Sequence, residues 1–243
     1  MASLINSVRS IASDSFWVVK IAFISSILFV VMDNDLNYPN GNPQLVPVYF
    51  VIAAIMMGCA SVAMHRNLNN KVPLFPSLFD IFEIINKSIG SVISITPGLL
   101  VYYASISFVK TNFVFEPFVM TVIYLCITVF FAPFIFIPTV LYSVNGRLTD
   151  AFRLKNILDG SGNFIVQFLS YVIQYVFIIG ILTYLVYTVL LEMLGDHVSL
   201  LILKCIVIVI SFFSVFIYCS DLYEDVIPEI KNKPKIKSKR KVF

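Results

Sequence analysis

The chain reads as an all-α integral membrane bundle of about six transmembrane helices, with short amphipathic interfacial helices on the cytoplasmic side. Three observations predict this. Apolar residues make up 59% of the 243 positions and charged residues only 13%, about half the charged share of a soluble domain. Mean hydropathy is +0.91, and the excess lies in runs long enough to span a bilayer. Basic residues also fall almost wholly on alternate sides of those runs.

Residues 2–14 come first. Leu4, Ile5, Val8, Ile11 and Ala12 recur at helical spacing, with Asn6, Arg9 and Ser10 between them. This predicts an interfacial helix. The first span is about 16–32, with Trp17 at headgroup level and Lys20 one turn in, able to reach back to water. Its end lacks a small-x-small cleavage pattern, so it reads as a retained span. Residues 33–45 form a turn-rich loop with Pro39, Gly41 and Pro43 and no Lys or Arg.

The second span is about 46–64. Ala54, Gly58 and Ser61 share one face and permit close helix approach. Pro73 and Pro76 then lay the chain along the surface. Ser77 is an expected N-cap for an interfacial helix over 78–88. Leu78, Ile81, Phe82 and Ile85 form its apolar stripe.

The third span is about 89–109, with a kink or break expected at Pro97-Gly98. The fourth is about 118–142, with Pro133 and Pro138 in its second half. A third interfacial helix is expected over 148–158, set apart from the next span by Gly160-Ser161-Gly162. The fifth span is about 163–191. Gln167, Tyr171 and Gln174 share a face there, a polar seam that serves either as inter-helix glue or as the lining of a polar path. The sixth span is about 198–220, and residues 231–243 form a basic tail expected to be disordered. Residues 1–230 are thus one transmembrane domain.

With the N-terminus inside, the inner segments hold fourteen of the 17 basic residues, seven of them in the last 13 positions. The outer loops hold only Lys110, while Lys20 and Lys204 lie within spans. This asymmetry places both termini in the cytoplasm and the protein in the cytoplasmic membrane. The tail suits anionic lipid. It lacks the aromatic interleaving of a single-stranded nucleic-acid site, so no nucleic-acid partner is expected.

One short segment occurs twice at an offset of 70 residues. Leu78-Phe79-Asp80-Ile81-Phe82 is followed by Asn86 and Gly90, and Leu148-Thr149-Asp150-Ala151-Phe152 by Asn156 and Gly160. Each copy precedes an odd-numbered span, which suggests tandem units in parallel orientation. Asp14-Ser15-Phe16 is a weaker third echo. Asp80, Phe82, Asp150 and Phe152 are the candidate structural or docking residues. Each aspartate either holds a turn or helix end, or joins a shared cytoplasmic docking surface.

Three stretches resemble the prokaryotic multi-span family catalogued as domain of unknown function 4013. They are Asp14-Ser15-Phe16-Trp17-Val18-Val19-Lys20, Pro73-Leu74-Phe75-Pro76 leading to Leu78-Phe79-Asp80-Ile81-Phe82, and Tyr142 to Phe152. The likeness covers about 5–220 in outline. It departs where the family usually has Pro followed by an acidic residue and this chain has Phe75-Pro76. The resemblance implies a prokaryotic integral membrane protein and no activity.

No nucleophile–base pair, HExxH, phosphate loop or carboxylate pair is present in the sequence. Cys59, Cys126, Cys205 and Cys219 lie in apolar runs without CxxC spacing. No catalytic residue, cofactor or metal is therefore expected. The leading expectation is a non-enzymatic scaffold or partner subunit, bound to a membrane-protein partner or a second copy of itself. The other is a small transporter or lipid-handling permease with a polar path beside Gln167 and Gln174. A reporter fused after Phe243 should be cytoplasmic and one inserted near Asn40 external; both on one face would refute the topology.

Overall fold

The computed structural model describes residues 3–14, 16–36, 42–69, 73–77, 80–181, 184–185, 188–189 and 197–226. The described residues form α1 (Leu4–Ala12), α2 (Trp17–Leu36), a 3₁₀ turn (Pro43–Leu45), α3 (Val46–Leu68), α4 (Ile81–Asn112), α5 (Pro117–Asn145), α6 (Leu148–Ala151), α7 (Leu154–Tyr175, continued by a π turn over Val176–Gly180) and α8 (His197–Val226). Six segments are long and apolar enough to cross a membrane. They lie in α2, the 3₁₀ turn with α3, α4, α5, α7 with its π turn, and α8. The expected basic tail at 231–243 lies outside the described residues, as do residues 190–196.

The packing follows a pattern of three. Helices α3, α5 and α8 touch one another and form an inner triangle. An outer helix fills each crevice: α2 lies against α8 and α3, α4 against α3 and α5, and α7 against α5 and α8. The chain thus runs through three outer–inner pairs, α2–α3, α4–α5 and α7–α8. An Asp-x-Phe sequence stands at the start of each outer helix: Asp14 to Phe16 before α2, Asp80 to Phe82 across the N-cap and first turn of α4, and Asp150 to Phe152 before α7.

The core is concentrated towards one end, which also carries α1, Arg66 and α6. Residues 56–64 of α3 are all buried, as are most residues from Val129 to Ser143 of α5 and from Phe213 to Leu222 of α8. Small residues allow the approach there. A Cβ on Gly58 would collide with the Ile84 carbonyl oxygen and the Ser88 hydroxyl of α4. Ser61 Oγ lies 2.7 Å from Ser143 Oγ of α5. The small face expected on the second span is the face that meets α4 and α5.

Two expected interfacial helices are corrected. Residues 81–88 are not a separate helix, because α4 continues through them to Asn112. Nothing between Lys87 and Val92 breaks the backbone ladder. Gly90 leaves room for the Tyr142 ring instead of acting as a hinge. The segment 148–158 is split. Phe152 N–H bonds to Leu148 O and Arg153 N–H to Asp150 O, which closes the four-residue α6. Asn156 and Ile157 then donate to Arg153 O, and α7 restarts. It runs straight through Gly160-Ser161-Gly162, with Gly160 buried. Pro97 lies inside an unbroken α4, and the missing Cβ of Gly98 admits the Phe134 carbonyl of α5. The first interfacial helix, expected over 2–14, is α1. It packs on α8, α7 and α2 with Leu4, Ser7 and Ile11 buried.

Gly58→Ala and Gly98→Ala should each destabilise the bundle by about 1–3 kcal/mol through overpacking. Gly162, with nothing within 4 Å of a built Cβ, should tolerate Ala with a gain of about 0.5–1 kcal/mol. Unfolding in mixed micelles measures both.

Candidate functional site: a polar clamp at the buried end of the bundle

At this end the backbone of Phe75 draws together three side chains. Its N–H donates to Asp14 Oδ2 at 2.6 Å. Its carbonyl accepts from Lys20 Nζ and Arg66 Nη1, each at 3.3 Å. Lys20 Nζ also lies 2.6 Å from Asp14 Oδ1, and the Asp14 side chain is fully buried. Asp14, Lys20 and Phe75 thus form a closed three-membered set. It joins the α1–α2 junction to the loop between α3 and α4. The Phe75 ring is buried and meets Phe213 of α8 edge-on, with centroids 4.8 Å apart.

Arg66 carries the set onward. Its Nη2 lies 2.9 Å from Asp80 Oδ2 and 3.4 Å from Glu83 Oε2, and Nη1 reaches Pro73 O at 3.4 Å. Asp80 Oδ2 also accepts from Ser77 N–H at 2.9 Å and Ser77 Oγ at 3.1 Å. The expected capping roles are therefore changed: Asp80, not Ser77, stands at the N-cap of α4, and its carboxylate turns back to hold Ser77. The Ser77 N–H first, and then the Arg66 guanidinium, hold the Asp80 carboxyl below its ordinary 3.8. The reading of Lys20 as reaching to water is likewise corrected, since its ammonium is tied to Asp14 and Phe75.

The second copy does not repeat this. Asp150 lies within the four-residue α6. At the offset of 70, Arg147 stands where Ser77 does, and Phe136 where Arg66 does. The hydroxyl and the guanidinium that hold Asp80 therefore have no counterpart there. Among the described residues no hydrogen bond links Asp80 to Asp150, directly or through a shared partner. The phenylalanines share one property. Phe16, Phe82 and Phe152 are 79%, 85% and 40% exposed. Phe16 holds φ at 61°, a left-handed conformation that costs a bulky residue about 1–2 kcal/mol.

The polar seam is bonded between elements. Tyr171 is buried with its hydroxyl 2.9 Å from Ser214 Oγ of α8. Gln174 Oε1 accepts the Leu4 N–H of α1 at 3.2 Å, and its Nε2 donates to Ser170 Oγ at 3.2 Å. Gln167 contributes its backbone carbonyl, which accepts from Tyr218 O–H at 2.8 Å.

Asp14, Arg66 and the Phe75 peptide were not among the candidate site residues, although Asp14 and Phe75 lie in stretches noted for the repeat and the resemblance. One signal was available: an acid and a base six residues apart across a helix junction, with a phenylalanine between flanking prolines elsewhere. No family model, curated protein or solved structure matches the chain.

Asp14→Ala leaves the Phe75 N–H without its acceptor and Lys20 without its counter-charge, and should cost about 3–5 kcal/mol. Asp80 behaves differently. Its lowered carboxyl stabilises the fold above about pH 4 and loses that effect as pH falls through the folded-state value. The deficit of Asp80→Asn should therefore be present at neutral pH and vanish in acid. Unfolding midpoints in micelles against pH test both.

Proposed function

We propose that the chain is a non-enzymatic multi-pass protein of the cytoplasmic membrane, with both termini cytoplasmic, that scaffolds or partners other membrane components. One observation carries this reading. Asp14, Lys20, Arg66, Asp80 and Tyr171 are engaged within the bundle, while the phenylalanines of all three Asp-x-Phe junctions face outwards. Asp80 and Asp14 are then architectural, and Phe16, Phe82 and Phe152 are the surface offered to a partner chain or a second copy. The likeness to the family of unknown function belongs to the same proposal.

The other reading is a small transporter or lipid-handling permease. An open apolar groove between α7 and α8 favours it, although Tyr171 lines that groove and the two glutamines do not. The experiment is photo-crosslinking in native membranes from a benzoyl-phenylalanine at position 82 or 152. Under the scaffold reading both positions yield a discrete protein adduct. Lipid adducts alone would overturn it.

A further inference from the structure

Helix α1 has the amphipathic pattern of a helix lying flat at the membrane boundary, yet its two ends meet the bundle at different depths. Its base is at the clamp. Asp14 is tied to Lys20 and to the Phe75 N–H. Arg66, which also holds the Phe75 carbonyl, joins the last turn of α3 to the N-cap of α4. Helices begin and end there. The tip of α1 is elsewhere. Leu4 N–H donates to Gln174 Oε1 of α7 at 3.2 Å. Helix α7 starts at Leu154, and Gln174 lies ~30 Å along it at 1.5 Å per residue.

Three contacts fix the register of α7 against α8. Tyr218 O–H donates to Gln167 O, Tyr171 meets Ser214, and Tyr175 meets Ser211. Gln174 therefore stands beside Ser211 and Phe212, near the middle of the apolar segment Leu200–Tyr223. From Ser211 to Asp221, which Asn67 of α3 holds, α8 runs ~15 Å. From Leu4 to Asp14 is also ~15 Å of helix, and half of a ~30 Å hydrocarbon core is the same length. Helix α1 thus rises along α8 from the clamp to mid-membrane. Its capping agrees. A helix end within hydrocarbon has no water for its first N–H groups. Here Ser3 Oγ takes the Asn6 N–H and Gln174 takes the Leu4 N–H. Leu4, Ser7 and Ile11 are buried. Among the described residues α2 and α7, both in contact with α1, do not pack on each other. Arg9 is exposed halfway along α1, where its long side chain can reach back to the headgroups.

We infer that α1 is a re-entrant lid, which enters the membrane from the clamp end, stops at mid-membrane and closes the crevice between α2 and α7 over α8. The clamp at Asp14 is its fixed side and the Leu4–Gln174 bond its latch. The fixed side is a fully buried carboxylate with an ammonium and an amide on its two oxygens, whereas a glutamine side chain holds the tip. Losing the latch frees the tip and leaves the base in place. The lid is independent of the scaffold reading and holds for a permease as well.

The test is the depth of a tryptophan in the full chain, reconstituted in phosphatidylcholine brominated either near the headgroup or near the chain ends. Trp17 is the single tryptophan, and Trp17→Phe supplies a silent background. Ile5→Trp and Ala12→Trp then place the probe near the tip and near the base of α1, both at exposed positions on one flank. Ile5→Trp should be quenched more strongly by the deep bromines and Ala12→Trp by the shallow ones. Adding Gln174→Leu should move Ile5→Trp towards the shallow quenchers and leave Ala12→Trp unchanged. Shallow quenching of both probes in the presence of Gln174, as for a helix flat in the interface, would overturn the inference. An Ile5→Trp probe that stays deep without Gln174 would overturn the latch. Size-exclusion profiles and helicity matching the wild type qualify each variant for comparison.

Discussion

The bonding of one residue's backbone holds this bundle together at its buried end. Phe75 lies in a loop, where its N–H and carbonyl have no helical partner, and its ring is buried on α8. Burial obliges both backbone groups to find partners. Asp14 takes the N–H, and Lys20 and Arg66 share the carbonyl. Three chain segments far apart in sequence are thereby fixed to each other. The arrangement also explains why Asp14 can be buried while charged: Lys20 and an amide satisfy both of its oxygens.

The same economy appears between the helices. Contact is closest where a side chain is missing, at Gly58, Gly90 and Gly98. Lipid tails are as apolar as leucine, so helices gain little from hydrophobic burial against each other and depend on close packing and inter-helix hydrogen bonds. The Ser61–Ser143, Tyr171–Ser214 and Tyr175–Ser211 pairs supply such bonds. Lys87 adds another by donating to Ser143 O at 3.0 Å from beside the Tyr142 ring. The aromatic residues Phe136, Phe164, Phe168 and Tyr171 run as a stack between these points.

The three-unit arrangement is built from dissimilar parts. Each outer helix has an aspartate and an outward phenylalanine at its start, yet the surroundings of each aspartate differ. Asp14 is buried and ion-paired, Asp80 is held by Ser77 and Arg66, and Asp150 lies within the short α6. The motif marks a shared position in the architecture. The partners around it differ, as Phe136 at the position equivalent to Arg66 illustrates.

Composition and periodicity alone determine that this chain is helical and apolar enough to cross a membrane six times, because span length follows from bilayer thickness and 1.5 Å per residue. The close-packing face of α3 and the inter-helix role of Tyr171 and Gln174 are legible for the same local reason: residue spacing fixes which side chains share a face. The continuity of α4 through Gly90 and of α7 through Gly160 is not legible. A glycine reads as a break until the ring or backbone that fills its space is known. Nor could sequence pair Asp14 with Phe75 or Arg66 with Asp80. These partners meet only because the loop folds back on α8, and which buried donor meets which acceptor is a property of the assembled bundle rather than of any one segment.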